Sequence, residues 1–374
     1  MSLEGVLKPR ISGPEELPQE DREPVTLTEL AWTLQTQAQR ESASQEEKES
    51  FGRIATQLLA GTINDADLES RDGLRDTIAR LQEARARNEA VYEKSTPLEV
   101  APGLHVPLHR IGGEDSESPG EGTKLLIAPG CFTGPLQLRD FAVASAAYGG
   151  DVIAPEMLTP DQGRSIDVER SKDMTDVVSA YRHTLEATMR AVAEGKEGEK
   201  FDLLGFSTGA AAVVDAALRD PEKIRHVILV SPIGLHSLES GYIARFAGII
   251  KGANAGYRQT KEKGLLSDPT YQQFSKDYAS RQMFRGHMEL LEIVHAAAMI
   301  NLTPLIAELK TKGIEVTVIM SEDDKQINAE EVEQSVAKAP GCGYLVVTGA
   351  HTKIGAEPQA LAALVADIRR GDMR

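Results

Sequence analysis

The chain has 374 residues of which 41% are apolar, enough for one large core with an accessory unit and more than the usual size of a single domain. Its net charge of -16 opposes nonspecific nucleic-acid binding and attraction to anionic membranes, since both need a positive surface field. Two cysteines, no apolar run near the roughly 18 to 20 residues that span a bilayer and no secretory leader pattern argue against a disulfide framework and integral membrane insertion, so a reduced, cytoplasmic protein is expected.

Residues 1–25 are rich in Pro, Glu and Gly and hold little apolar surface to offset ordering entropy, which predicts a flexible tail. Residues 26–94 then read as a helical extension. Thr26 and Glu29 have capping-box spacing before Leu27, Leu30, Ala31 and Leu34, and Ser44 with Glu47 repeats the signal before Phe51, Ile54, Leu58 and Leu59. Gly61 stops the second helix, and a third pattern through Leu74, Ile78 and Leu81 continues to about Lys94. These apolar stripes must be buried, either on the body of the same chain or on a second copy in a homo-oligomer. No motif in them carries chemistry.

Residues 124–131, KLLIAPGC, predict a strand and its exit loop, and DVIAPE predicts the next strand. Residues 201–209, FDLLGFSTG, form an apolar run ending in Gly205-Phe206-Ser207-Thr208-Gly209, followed at once by the helix-favouring AAAVVDAAL. This G-x-S-x-G spacing holds Ser207 on a strand-to-helix turn whose backbone is strained and which a side chain at either flanking glycine would crowd. The helix that follows aims its N-terminal N–H groups at any oxyanion formed there.

IRHVILVSPIG predicts the next strand, the aromatic-rich segment 236–300 intervenes, and TPLIAELK predicts a helix. In the intervening segment Tyr242, Phe246, Ile249 and Ile250 share one helical face, as do Met288, Leu291, Val294 and His295. Such stripes either form that segment's own core or roof an apolar pocket over Ser207. His287 and His295 have no carboxylate or cysteine set around them that makes a metal site.

A serine hydroxyl at its free pKa is a poor nucleophile and needs a base and a group that orients the base. Both are found downstream. Residues 314–320, IEVTVIM, predict a strand that turns through Ser321-Glu322-Asp323-Asp324, and residues 344–348, YLVVT, predict another that runs into Gly349-Ala350-His351. Each candidate lies just past a strand's C-terminal end, where open α/β sheets gather their ligands.

The order Ser207, Asp324, His351, together with the pentapeptide, resembles the α/β-hydrolase superfamily over roughly residues 100–372, and within it the branch of capped monoglyceride-lipase-like esterases and serine aminopeptidases. The resemblance implies a mostly parallel central sheet with helices on both faces. It divides the chain into a core of residues 95–235 and 301–374 and a helical cap of residues 236–300. It makes Ser207 the nucleophile, His351 the base, and Asp324, three residues past Ser321, the acid, with the neighbouring Asp323 as the alternative. The oxyanion hole then takes the N–H of Thr208 and a second donor from the loop after KLLIA. Many relatives have His-Gly there, whereas this chain has Pro129-Gly130, so Cys131 is the donor candidate, with Phe132 as the alternative. A nucleophilic role for the Cys131 thiol has no partner to support it, and Cys342 reads as a loop residue. Pro160-Asp161-Gln162-Gly163-Arg164-Ser165 resembles a P-G-x-G-x-S loop and departs from it at the first glycine.

The function implied is hydrolysis of a small-molecule carboxylic ester, with an apolar acyl or alkyl group, through an acyl-enzyme; water completes turnover and no cofactor is needed. The same triad serves an amidase, peptidase or thioesterase. The alternative of a different kind is a binding protein that retains the fold without turnover.

Overall fold

The computed structural model describes residues 95–112, 123–130, 135–148, 150–171, 174–196, 198–235, 248, 251, 252, 255, 258, 294–322, 324, 327–347 and 358–371. The predicted tail of residues 1–25 and the helical extension of residues 26–94 lie outside them. So does most of segment 236–300, of which positions 248, 251, 252, 255, 258 and 294–299 are helical.

Eight strands make one sheet in the order β1-β2-β4-β3-β5-β6-β7-β8. They are β1 (Thr96–Ala101), β2 (Leu104–Ile111), β3 (Lys124–Ala128), β4 (Val152–Pro155), β5 (Phe201–Phe206), β6 (Ile224–Val230), β7 (Glu315–Ser321) and β8 (Gly343–Val347). The β1–β2 and β2–β4 pairs are antiparallel and every other pair is parallel. This is the mostly parallel sheet that the resemblance implies.

The helices are α1 (Pro135–Ala147), α2 (Pro160–Ser165), α3 (Asp176–Ala193), α4 (Thr208–Arg219), α5 (Thr303–Thr311), α6 (Ala329–Val336) and α7 (Pro358–Arg370). The central strands are apolar at successive positions because helices cover both faces. Leu203, Val227 and Val318 pack on the side of α3 to α6, while their neighbours Leu204, Ile228 and Ile319 pack on the side of α1 and α7. The alternation follows from the period of two that a strand imposes on its side chains.

Three departures from the sequence reading have local causes. The β1–β2 hairpin was not anticipated, because Pro97 and Pro107 interrupt the run; the two prolines face each other in the register, and Leu98, Val100, Val106 and Leu108 are buried in alternation. Residues 160–165 form helix α2, where a loop was expected. Thr159 caps it, accepting from the Gln162 N–H while the Gln162 side chain accepts from the Thr159 N–H, and Pro160 occupies the first turn. His295 does not share the buried face of Val294: Val294, Ala296, Ala297 and Ala298 are buried and His295 is exposed.

The N-terminal edge of the sheet is tied by charge. Asp202, fully buried on β5, accepts from Arg225 Nε at 2.8 Å and from Arg369 Nε of α7 at 2.7 Å, and Arg369 Nη2 also donates to the Thr123 carbonyl at 2.8 Å. The hydrogen bond to Asp202 pushes the Arg225 guanidinium pKa up, so Arg225 stays charged. Removing Asp202 strands the guanidinium of Arg369, which is 10% exposed, while that of Arg225, at 35%, keeps contact with solvent. We therefore expect Asp202→Ala to cost about 3–5 kcal/mol in urea unfolding, with kcat of the folded fraction unchanged because the clamp is at the edge opposite Ser207. A loss under about 1 kcal/mol would mean that solvent already screens the cluster.

Candidate active site

The parallel ladders put the C-terminal ends of β3, β5, β6, β7 and β8 on one edge. Ala128 pairs with Gly205, Phe206 with Val230, Val230 with Ile319, and Ser321 with Val347. Ser207 leaves β5 at this edge, the Asp324 turn leaves β7, and the chain toward His351 leaves β8.

Ser207 has φ 52° and ψ -114°, a backbone that L side chains rarely adopt, and is the N-cap of α4. A Cβ on Gly205 would stand 2.5 Å from Ala210 Cα and 2.6 Å from the Gly209 carbonyl oxygen. A Cβ on Gly209 would collide with the Ala128 and Pro129 carbonyl oxygens, so α4 starts directly against the end of β3. Both glycines are thus required by close backbone approach. The turn is braced from β6: the Val230 carbonyl accepts from the Ser207 N–H at 3.0 Å, and the Ser207 carbonyl accepts from Ala210 at 3.1 Å and Ile233 at 3.3 Å.

A serine at an N-cap ordinarily bonds its hydroxyl to the N–H groups of the first turn. Ser207 makes no such bond. At this backbone geometry the hydroxyl is not spent on capping α4, and the residue retains 8% exposure at the sheet edge. Thr208, the first residue of α4, is fully buried, and an N–H in the first turn of a helix has no acceptor within the helix.

Asp324 is 7% exposed and held at both ends: its N–H donates to the Ser321 carbonyl at 3.1 Å and its Oδ1 accepts from the Ile327 N–H at 2.9 Å. That turn begins on β7, two strands from Ser207. Of the site residues named from sequence, the structure brings Ser207, Thr208 and Asp324 to one edge. His351, Cys131, and the alternatives Asp323 and Phe132 lie outside the described residues. Val347, the last residue of β8, is four positions before His351, and Pro129, whose carbonyl abuts Gly209, is two before Cys131.

Ser231 was passed over in the sequence. It also has positive φ, 43°, and its hydroxyl is buried without an acceptor. The Ser-Pro-x-Gly that ends the apolar run of β6 was the available signal. Cys342 precedes β8, and burial pushes its thiol pKa up to about 11, so it stays protonated at neutral pH and is a poor nucleophile. Among the described residues no group of three or more His, Cys, Asp or Glu side chains is placed to hold a metal, and no helix is long and apolar enough to cross a membrane.

Residues 125–364 match the sequence model of the alpha/beta hydrolase family. The chain belongs to that family. Among solved structures it is similar to a membrane phospholipase A described as a bacterial virulence factor, at 13% identity and TM-score 0.54, covering 79% of this chain and 91% of that one. It is also similar to a thermophilic esterase from Thermogutta terrifontis, at 14% identity and TM-score 0.51, over 75% of this chain and 100% of that one. A third, the proline iminopeptidase of Mycobacterium smegmatis, has 14% identity and TM-score 0.51, over 75% and 98% of the two chains. These likenesses show a shared fold. A comparison with curated proteins gives no match.

The crowding at the strand-to-helix turn can be tested directly. Gly209→Ala must push α4 off β3, and we expect an overpacking loss of about 1–3 kcal/mol in thermal or urea unfolding. Unchanged stability would show that the two elements have room to part.

Proposed function

We propose that this alpha/beta hydrolase is a serine esterase of the capped, monoglyceride-lipase-like branch, cleaving a small carboxylic ester with an apolar acyl or alkyl group. The observation that carries the reading is the Ser207 backbone: φ 52° between two glycines that admit no Cβ, with a hydroxyl not used to cap its own helix. Backbone strain of this kind persists only where the surrounding structure enforces it, and it concentrates at functional sites.

In this reading the Ser207 Oγ–H gives its proton to the His351 imidazole as Oγ attacks the ester carbonyl carbon. The tetrahedral oxyanion takes hydrogen bonds from the N–H groups of Thr208 and Cys131. Collapse expels the alcohol, which receives the proton from the imidazolium and leaves Ser207 acylated. Water then attacks the acyl carbon, gives a proton to the imidazole, and the carboxylic acid departs as Oγ recovers its hydrogen. Asp324 holds the imidazole in the tautomer that can accept from Ser207. Its burial and the Ile327 N–H on Oδ1 support that role, because a fixed carboxylate orients a ring better than a mobile one. The reaction needs no cofactor.

The test is hydrolysis of p-nitrophenyl esters from acetyl to medium chain length. Wild-type kcat/KM should rise with length, since each buried methylene contributes about 0.8 kcal/mol. Ser207→Ala should lower kcat by several orders of magnitude with folding retained, and Asp324→Asn should cost far more than Asp323→Asn. Turnover retained in Ser207→Ala contradicts the mechanism. The reverse ranking of the two aspartates moves the acid to Asp323, and faster cleavage of aminoacyl amides than of every ester moves the substrate class to peptides.

A further inference from the structure

Ser231 carries two costs at once. It is a non-glycine residue at φ 43°, and its hydroxyl is buried with no hydrogen-bond partner while the residue is 1% exposed. A glycine would relieve the first and an alanine the second. Its position gives the hydroxyl a use. Ser231 is the first residue past β6, directly beside Ser207, because Phe206 pairs with Val230 in the parallel register. On its other side the Ser231 N–H donates to the Ile319 carbonyl of β7 at 2.9 Å, the strand that leads into the Asp324 turn. The loop of Ser231 also supplies the Ile233 N–H that braces the Ser207 carbonyl at 3.3 Å.

The order β5-β6-β7-β8 places the nucleophile, this serine, the acid turn and the chain toward the base on successive strands. With strands about 4.8 Å apart, β5 and β8 are separated by about 14 Å, so any relay from the acid turn to Ser207 passes over the end of β6. The acceptor that a buried hydroxyl gains most from there is a carboxylate, which only accepts and makes the stronger, charge-assisted bond. Catalytic hydrogen bonds tighten in the Michaelis complex.

We propose that Ser231 is a positioning residue whose hydroxyl donates to the Asp324 carboxylate in the substrate-bound site, holding the acid against the imidazole. The inference rests on the serine-esterase reading above and adds to it a second serine that never touches the substrate.

A double-mutant cycle tests it, with kcat and KM for p-nitrophenyl butyrate measured in wild type, Ser231→Ala, Ser231→Gly, Asp324→Asn and Ser231→Ala/Asp324→Asn, alongside melting temperatures. Both Ser231 variants should lose about tenfold in kcat with KM changed by less than about twofold. Neither should melt below wild type, since one loses an unpaired hydroxyl and the other also loses the strain. In the Asp324→Asn background Ser231→Ala should cost less than about twofold, because its partner is already altered. Wild-type kcat in both Ser231 variants, or the same tenfold loss in both backgrounds, overturns the inference. The two readings fail separately: turnover that survives Ser207→Ala removes the esterase mechanism and this inference with it, whereas turnover lost in Ser207→Ala but intact in the Ser231 variants removes this inference alone.

Discussion

The close approach of α4 to β3 and β5 is the constraint on which the rest of the site depends. Neither Gly205 nor Gly209 has space for a Cβ, because the backbone of Ala210 presses on the first and the carbonyls of Ala128 and Pro129 press on the second. The chain must therefore reverse from strand to helix within one residue. Ser207 absorbs that reversal at φ 52°, held there by its N–H donating to the Val230 carbonyl and its carbonyl accepting from Ala210 and Ile233. A looser junction would let Ser207 relax into an ordinary N-cap and bond its hydroxyl to its own helix. Packing denies it that state.

The two edges of the sheet carry different kinds of residue. At the N-terminal edge Asp202 joins β5, β6 and α7 through two arginines, an arrangement that fixes the C-terminal helix against the sheet and offers nothing to a substrate. At the C-terminal edge the strands end in turns with positive φ or carboxylates held by backbone donors: Ser207, Ser231 and Asp324. Parallel strands make this division automatic, since all their C-terminal ends face the same way.

Much of this was legible in the sequence because the demands are local. The turn is written as glycines at fixed spacing around Ser207, and β5 to β7 appear as short apolar runs because both faces of a central strand are covered. The places that were not legible are those where local signals conflict. Pro97 and Pro107 hide the β1–β2 hairpin, since proline argues against a strand until its partner across the register is known. Pro160 and Gly163 gave α2 the look of a loop, although Thr159 and Gln162 make a capping box whose second half depends on three-dimensional closure. The helical period that grouped His295 with Val294 cannot tell which side of a helix meets the core. Ser231 carries no mark of its strain in the letters VSPIG, because φ is set by the strands on either side of it.

The proposed chemistry requires Ser207 to be the activated group, and the most direct measurement is the site of reaction with a fluorophosphonate. Peptide mapping of the folded, labelled protein should find one adduct per chain, on the peptide that contains Ser207, since a phosphonate traps only a serine whose proton has somewhere to go. An adduct elsewhere, or a folded protein that takes up none, would contradict the claim that this strained elbow holds a catalytic nucleophile.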